Sequence, residues 1–232
     1  MGLGDVVRGP TRDESERISK ALHQEGVFSG GGYEDFHEAG ENQLEILLHF
    51  GMERSSKVLD VGCGCLRGGR WVIPYLDANC YFGIEPNESM VDAGRRIVVG
   101  EQTLMEKSPT LDTNSDFDFG VFETDFDFVI ARSVWTHASK NHIETMLDQF
   151  VHHSKPSAIF LTSMLKPRIP FFDDYRGEDW VGRSHDSDLP GIARHSIRWI
   201  NKVCKKRGLK ATRITEIDLN YRAQVWFKVD RA

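Results

Sequence analysis

Apolar positions along this chain alternate between two rhythms, one of period near 3.6 and one of short continuous runs. Between residues 33 and 50, Leu44, Leu47 and Leu48 follow helical spacing and stop at Gly51, a common helix terminator. Residues 57–61 then form a leucine and β-branched run, closed by a glycine-rich turn at 62–69 and followed by a helix-compatible stretch at 70–76 that includes Pro74. A second strand at 80–85 ends at Pro86 and Asn87, and 88–98 reads as a helix, which completes a βαβ unit. A third strand falls at 110–113, and after an acidic, aromatic loop a fourth at 126–131 is apolar along its length, as a strand covered on both faces would be. The helix at 142–153 carries Ile143, Met146, Leu147 and Phe150, and 157–162 is the fifth strand. A helix at 196–206 and strands at 211–217 and 223–229 close the chain.

This alternation predicts an α/β fold, a mostly parallel sheet with helices on both faces. The last two strands lie too close for a crossover, since a parallel connection needs about a dozen residues, so they form an antiparallel hairpin at one edge. Residues 1–32 are polar, end in Gly30, Gly31 and Gly32, and read as a flexible arm or lid. Residues 33–232 form one domain, interrupted at about 164–194 by a segment with no period that carries Pro167, Phe171, Trp180 and Pro190. Irregular stretches of that length are usually functional, and this one is expected to cap a substrate.

Composition narrows the class. The 232 residues are 40% hydrophobic and 28% charged, an ordinary globular balance. No apolar run approaches the roughly 20 residues needed to cross a bilayer, and the first residues lack an apolar signal core, so no membrane association and a cytoplasmic location are expected. A net charge of −6 argues against a nucleic-acid partner. The one tight basic cluster, Lys205, Lys206 and Arg207, reads as the end of a helix that stops at Gly208. The four cysteines lack metal-ligand spacing and read as free thiols, with no metal expected.

The strongest chemical signal is Val58-Leu59-Asp60-Val61-Gly62-Cys63-Gly64, followed by Gly68 and Gly69. Glycines at 62 and 64 let the backbone approach a ligand at the carboxyl end of the first strand. Nicotinamide enzymes place GxGxxG at the same point, but here the third position of that fingerprint falls on Arg67. Asp60 would also face a diphosphate across a short gap and repel it. The ammonium and sulfonium of S-adenosylmethionine suit that acid better. Glu85, about 20 residues on, stands where an acid accepts both hydroxyls of a ribose.

The segments 58–64 and Gly83-Ile84-Glu85-Pro86, with 126–134, resemble the class I S-adenosylmethionine-dependent methyltransferases over roughly residues 40–230. The resemblance implies seven strands in the order 3-2-1-4-5-7-6 with the last inserted antiparallel, and S-adenosylmethionine as cofactor, released as S-adenosylhomocysteine. It implies a donor site at Asp60, Gly62, Cys63, Gly64, Gly68, Glu85 and Pro86. Asp116 and Phe117 are implied at the adenine, and Arg132 and Ser133 at the end of the fourth strand.

Methyl transfer needs chiefly alignment, although an oxygen or nitrogen acceptor also needs a base. His137, just past the fourth strand, is the expected base or substrate anchor; the alternative is an idle histidine in the first turn of a helix capped by Thr136. Trp135, Trp180, His185 and His195 are expected to contact the acceptor. Amide and nucleobase methyltransferases often carry Asn or Asp, then Pro, Pro and an aromatic after strand four, where this chain has Ala131, Arg132, Ser133 and Val134. A small-molecule acceptor methylated on oxygen is therefore expected. The competing readings are an NAD(P)-dependent oxidoreductase and a catalytically inactive S-adenosylmethionine-binding protein.

Overall fold

The computed structural model describes residues 9–27, 35–168, 173–182, 189–217 and 224–232. The chain divides into two compact units, Met1–Thr113 and Asn114–Ala232, whose strands form one seven-stranded sheet in the order β3-β2-β1-β4-β5-β7-β6. That is the order and the antiparallel end the sequence led us to expect.

In the first unit, β1 (Val58–Val61) pairs in parallel with β2 (Tyr81–Ile84), which pairs in parallel with β3 (Thr110–Asp112). Every residue of β1 and β2 is buried, and apart from Asp60 their residues are apolar, aromatic or glycine, as in strands covered on both faces. Helix α1 (Arg12–Gln24) precedes α2 (Asp35–His49). Helix α3 (Gly69–Tyr75) carries Pro74 at its penultimate position and ends one residue later. Helix α4 (Glu88–Ala93) runs into a π-helical stretch, Gly94–Val99, and is followed by α5 (Glu101–Lys107).

Residues 12–24, assigned from composition to a flexible arm, form an ordered helix. Thr11 caps it, accepting from the Glu14 N–H while Glu14 accepts from the Thr11 N–H. Leu22 on its inner face is buried with Phe36, Cys65, Ala93 and Val98. Its mostly polar sequence hid a narrow buried stripe of Ser15, Ser19 and Leu22. Helix α5 was not anticipated, because none of its residues is buried and no apolar period marks it.

In the second unit, β4 (Phe126–Ala131) lies parallel to β5 (Ser154–Leu165), and α6 (Lys140–His152) connects them. Phe126 is opposite Ser154 while Phe128 is opposite Ile159, so β5 bulges across residues 155–158. Pro156 sits in that irregularity, where its missing N–H costs no ladder bond, and this is why the strand begins before the expected residue 157. Helix α7 (Ile197–Lys206), capped by Ser196, leads to β6 (Leu209–Arg213) and β7 (Gln224–Arg231). Strand β7 is antiparallel to both β5 and β6, the hairpin expected from the close spacing. No helix among the described residues is long and apolar enough to cross a membrane.

Candidate functional site

The first unit presents its chemistry where β1 and β2 end. Asp60 is only 4% exposed, and the Tyr81 hydroxyl donates to its Oδ2 at 2.8 Å. Burial, with the Asp60 carboxylate beside it, pushes the Tyr81 phenol far above its ordinary range, so the phenol keeps its proton and remains a donor. The chain then turns through Gly62 (φ +70°) and Gly64 (φ +56°), left-handed conformations that favour glycine.

The hydrogen bonds inside this turn decide what it can hold. The N–H groups of Gly62 and Cys63 both donate to the Ile84 carbonyl, at 2.8 and 3.1 Å. The Gly64 N–H donates to Glu85 Oε2 at 3.1 Å, and the Asn87 N–H to Glu85 Oε1 at 3.0 Å. A diphosphate would need those N–H groups, and the first three in the turn are already engaged, one of them by a carboxylate. This geometry speaks against the dinucleotide reading. Each Glu85 oxygen accepts a backbone donor, so the carboxylate is fixed in place at the end of β2.

Other expected donor residues contribute backbone shape more than contact. The Cys63 side chain is buried; its Sγ lies 2.9 Å from where a Cβ on Gly83 would sit, and burial, with Asp60 and Glu85 nearby, holds the thiol protonated. At Gly68 a Cβ would lie 2.4 Å from the Gln43 amide nitrogen, so the absence of a side chain there serves packing against α2. Pro86 is half-buried directly after Glu85. Tyr81 and Asn87 were missed by sequence reasoning. Asn87 had a readable signal as the cap of α4, its side chain accepting from the Met90 N–H.

The second unit gathers a different set. Asp116 is exposed, while the half-buried Phe117 (φ +59°) packs against His142 and Trp180 with ring centroids 5.7 and 6.3 Å apart. Asn114 holds this loop, its Oδ1 accepting from the Asp118 N–H at 3.0 Å. Beyond β4 come Arg132, buried, and Ser133 in a left-handed conformation (φ +61°). The Ser133 N–H donates to Ser163 Oγ at 2.8 Å, and Gln224 reaches Ser133 Oγ from the start of β7.

His137 does not lie in a helix. Thr136 Oγ1 donates to the Ser133 carbonyl and caps nothing, and α6 begins only at Lys140 with Ser139 as its cap. His137 Nδ1 lies 2.9 Å from the Val181 carbonyl oxygen. A carbonyl only accepts, so Nδ1 carries the hydrogen and the neutral ring has its lone pair on Nε2. Burial lowers the pKa of His137, against the opposing effect of the Val181 bond, so the ring is neutral at pH 7. The Val181 N–H donates back to the His137 carbonyl at 2.9 Å, and the Ala193 N–H donates to the Thr136 carbonyl at 2.7 Å. The Trp180 indole stacks on the His137 ring at 5.9 Å. The described part of the irregular segment is thereby docked on the turn after β4.

Two expected acceptor contacts are corrected. Trp135 is completely buried and packs edge-on against Phe160 at 5.8 Å, which makes it part of the core and not a pocket wall. His195 is also fully buried, with Nε2 2.9 Å from the Ala138 carbonyl and its ring against Trp199. Both sit in aromatic-rich sequence whose inward direction no local pattern reveals. His185 lies outside the described residues. Arg207, from the basic cluster, is engaged by Asp148 at 2.6 Å and Glu144 at 3.0 Å, as the end of a structural helix would be.

No protein-family model matches this sequence, and no curated protein sequence is significantly similar to it. Solved structures do match. A magnesium protoporphyrin IX methyltransferase (ChlM) from Synechocystis PCC 6803 with bound SAH matches with a TM-score of 0.58 at 16% identity, over 95% of this chain and 97% of that one. The glycopeptide N-methyltransferase MtfA complexed with S-adenosylmethionine matches at 0.60 and 13%, over 83% and 94%. The CcbJ methyltransferase from Streptomyces caelestis matches at 0.59 and 13%, over 84% and 96%. The likeness defines a fold: this chain has the architecture of the class I S-adenosylmethionine-dependent methyltransferases, down to the inserted antiparallel seventh strand.

Proposed function

We propose that this protein is an S-adenosylmethionine-dependent methyltransferase that methylates a small molecule on oxygen. The observation that carries the reading is the turn after β1, whose first three N–H groups are engaged internally beside the buried carboxylate of Asp60 and the fixed carboxylate of Glu85. Such a turn disfavours phosphates and suits a cationic, ribose-bearing ligand. The structural neighbours solved with S-adenosylmethionine or S-adenosylhomocysteine support the same choice.

When bound, S-adenosylmethionine supplies a methyl group activated by the positive sulfur. Glu85 accepts the ribose hydroxyls, Asp60 contributes the negative field of the turn, and Phe117, beside Asp116, offers an apolar face to the adenine. His137 receives the proton of the acceptor hydroxyl on Nε2, the ring nitrogen left with a lone pair by the Val181 bond. Trp180, held against His137, forms a wall for the acceptor. Arg132 and Ser133 contribute at the end of β4.

Calorimetric titration tests this directly. S-adenosylhomocysteine should bind while NAD and NADP do not, and labelled methyl should pass from S-adenosylmethionine to one member of a hydroxylated small-molecule library. Binding of NAD in place of S-adenosylhomocysteine would defeat the reading; donor binding with no transfer to any acceptor would favour an inactive binding protein.

A further inference from the structure

Val181 ties both the ring and the main chain of His137. The ring bonds to the Val181 carbonyl through Nδ1, and the Val181 N–H returns a bond to the His137 carbonyl, each at 2.9 Å. The chain leaves Val181 through Gly182, whose φ of +89° is left-handed. A Cβ on Gly182 would lie 2.4 Å from His137 Nδ1 and 2.9 Å from Cε1, closer than a Cβ can pack. Glycine is therefore required there twice, by its own conformation and by the approach of the ring. The Gly182 N–H donates to the Leu189 carbonyl at 2.7 Å, and the Ala193 N–H donates to the Thr136 carbonyl at 2.7 Å. The stretches on either side of residues 183–188 are thus tied to each other and to the turn that carries His137.

Trp180 touches a second histidine of opposite tautomer. His142, its ring 6.0 Å from the indole, accepts the Ser139 N–H on Nδ1 at 3.2 Å and so bears its hydrogen on Nε2. That choice is made within one capping box, three residues away. The choice at His137 is made 44 residues on, by the irregular segment. A neutral imidazole accepts a proton only at the nitrogen that lacks one, so the seating of this segment decides which His137 nitrogen can act as a base.

We propose that Val181 and Gly182 are positioning residues that arm His137: the Val181 carbonyl holds the ring hydrogen on Nδ1, and Gly182 lets that carbonyl reach it. This rests on the function proposed above. As the acceptor O–H bond breaks, its proton passes to Nε2 and its electron pair forms the bond to the methyl carbon. The methyl–sulfur bond breaks with its pair left on sulfur, and the Val181 carbonyl accepts from the Nδ1–H of the resulting imidazolium.

Ring-nitrogen NMR at about pH 8, above the ordinary histidine range, reads the tautomers directly. The native protein should show His137 with its hydrogen on Nδ1 and His142 with its hydrogen on Nε2. Gly182→Ala should mix the His137 tautomers, leave His142 unchanged, and slow methyl transfer roughly ten- to a hundredfold while S-adenosylhomocysteine binds as before. Gly191→Ala is the control. Its φ of +140° also disfavours a side chain, but nothing lies within 4 Å of the added Cβ, so the ring signals and transfer should stay native. In thermal melts Gly182→Ala should lower Tm less in a His137→Ala background than alone, because the ring that the Cβ meets is gone.

A native His137 with its hydrogen on Nε2 would overturn the proposal without any variant. So would a His137 tautomer untouched by Gly182→Ala, or one disturbed as much by Gly191→Ala. Mixed tautomers with undiminished transfer would also overturn it, since the ring's seat would not serve the reaction. If the native protein neither bound S-adenosylhomocysteine nor transferred methyl, the function proposed above would fall; a hydrogen on Nδ1 that mixes in Gly182→Ala would still uphold the seat.

Discussion

The turn after β1 and the turn after β4 both pass through left-handed residues at a strand end, yet they are assembled by opposite means. In the first, the conformation falls on Gly62 and Gly64, and its hydrogen-bond partners, Ile84 and Glu85, belong to the very next strand and its end. In the second, it falls on Ser133, and the partners come from Ser163 and Gln224, 30 and 91 residues away in sequence. His137 likewise depends on Val181, 44 residues on. A turn closed by near neighbours writes itself into a local motif; one closed by distant partners does not.

The largest expected effect concerns which side of the second turn is core. Trp135→Ala should lower the free energy of unfolding by about 3–5 kcal/mol, because a fully buried indole leaves a cavity. Denaturant melts give the value, and full stability with lost acceptor binding would return Trp135 to the pocket.

The base and strut roles of His137 can also be separated. Asn at 137 can place an N–H near the Nδ1 position and keep the bond to Val181 without offering a base. His137→Asn should therefore retain S-adenosylhomocysteine binding and fold while turnover drops about 10²–10⁴-fold. Undiminished turnover would leave His137 as an anchor only. Its lowered pKa adds a pH signature. The folded state binds the proton less readily than the unfolded chain, so the stabilisation is complete above about pH 6.5 and is lost as pH falls through the lowered folded value. His195, lowered by burial in the same direction, contributes in the same window. Thermal melts of His137→Asn should show a smaller loss between neutral and mildly acidic pH than the native protein.

In the first turn, Glu85→Gln should weaken S-adenosylhomocysteine by roughly ten- to a hundredfold, since one charge-assisted acceptor is lost and the amide NH₂ faces a backbone N–H. Affinity within twofold of native would place the ribose elsewhere. The smallest effect is on thiol chemistry. Burial pushes Cys65 up to about 11 and Cys204 up to about 12, and Cys63 is also raised, so only the half-buried Cys80 should react with a thiol reagent in the folded protein. Rapid modification of Cys63 or Cys65 would mean that the first turn opens readily.

Much of the sheet was legible. The largely apolar runs at β1, β2 and β4, broken only by Asp60 and Asp127, mark strands covered on both faces, and the short gap before β7 dictated an antiparallel hairpin. Helix α5 was not, because a helix that buries nothing leaves no apolar period. The start of β5 was obscured by Pro156 in its bulge. Helix α1 was obscured because two of its three buried residues are serines.

The sequence by itself determined the alternation of strands and helices, the antiparallel final hairpin and the glycine turn with Asp60 and Glu85 at its strand ends, since each follows from local periodicity, from a connection too short for a crossover or from steric rules on neighbouring dihedrals. Only the tertiary structure decided that Trp135 and His195 face inward, that His137 bears its hydrogen on Nδ1, and that Gln224 reaches Ser133. Those outcomes depend on which distant backbone oxygen or amide is packed against each side chain. That proximity is a property of the folded chain and has no trace in local spacing.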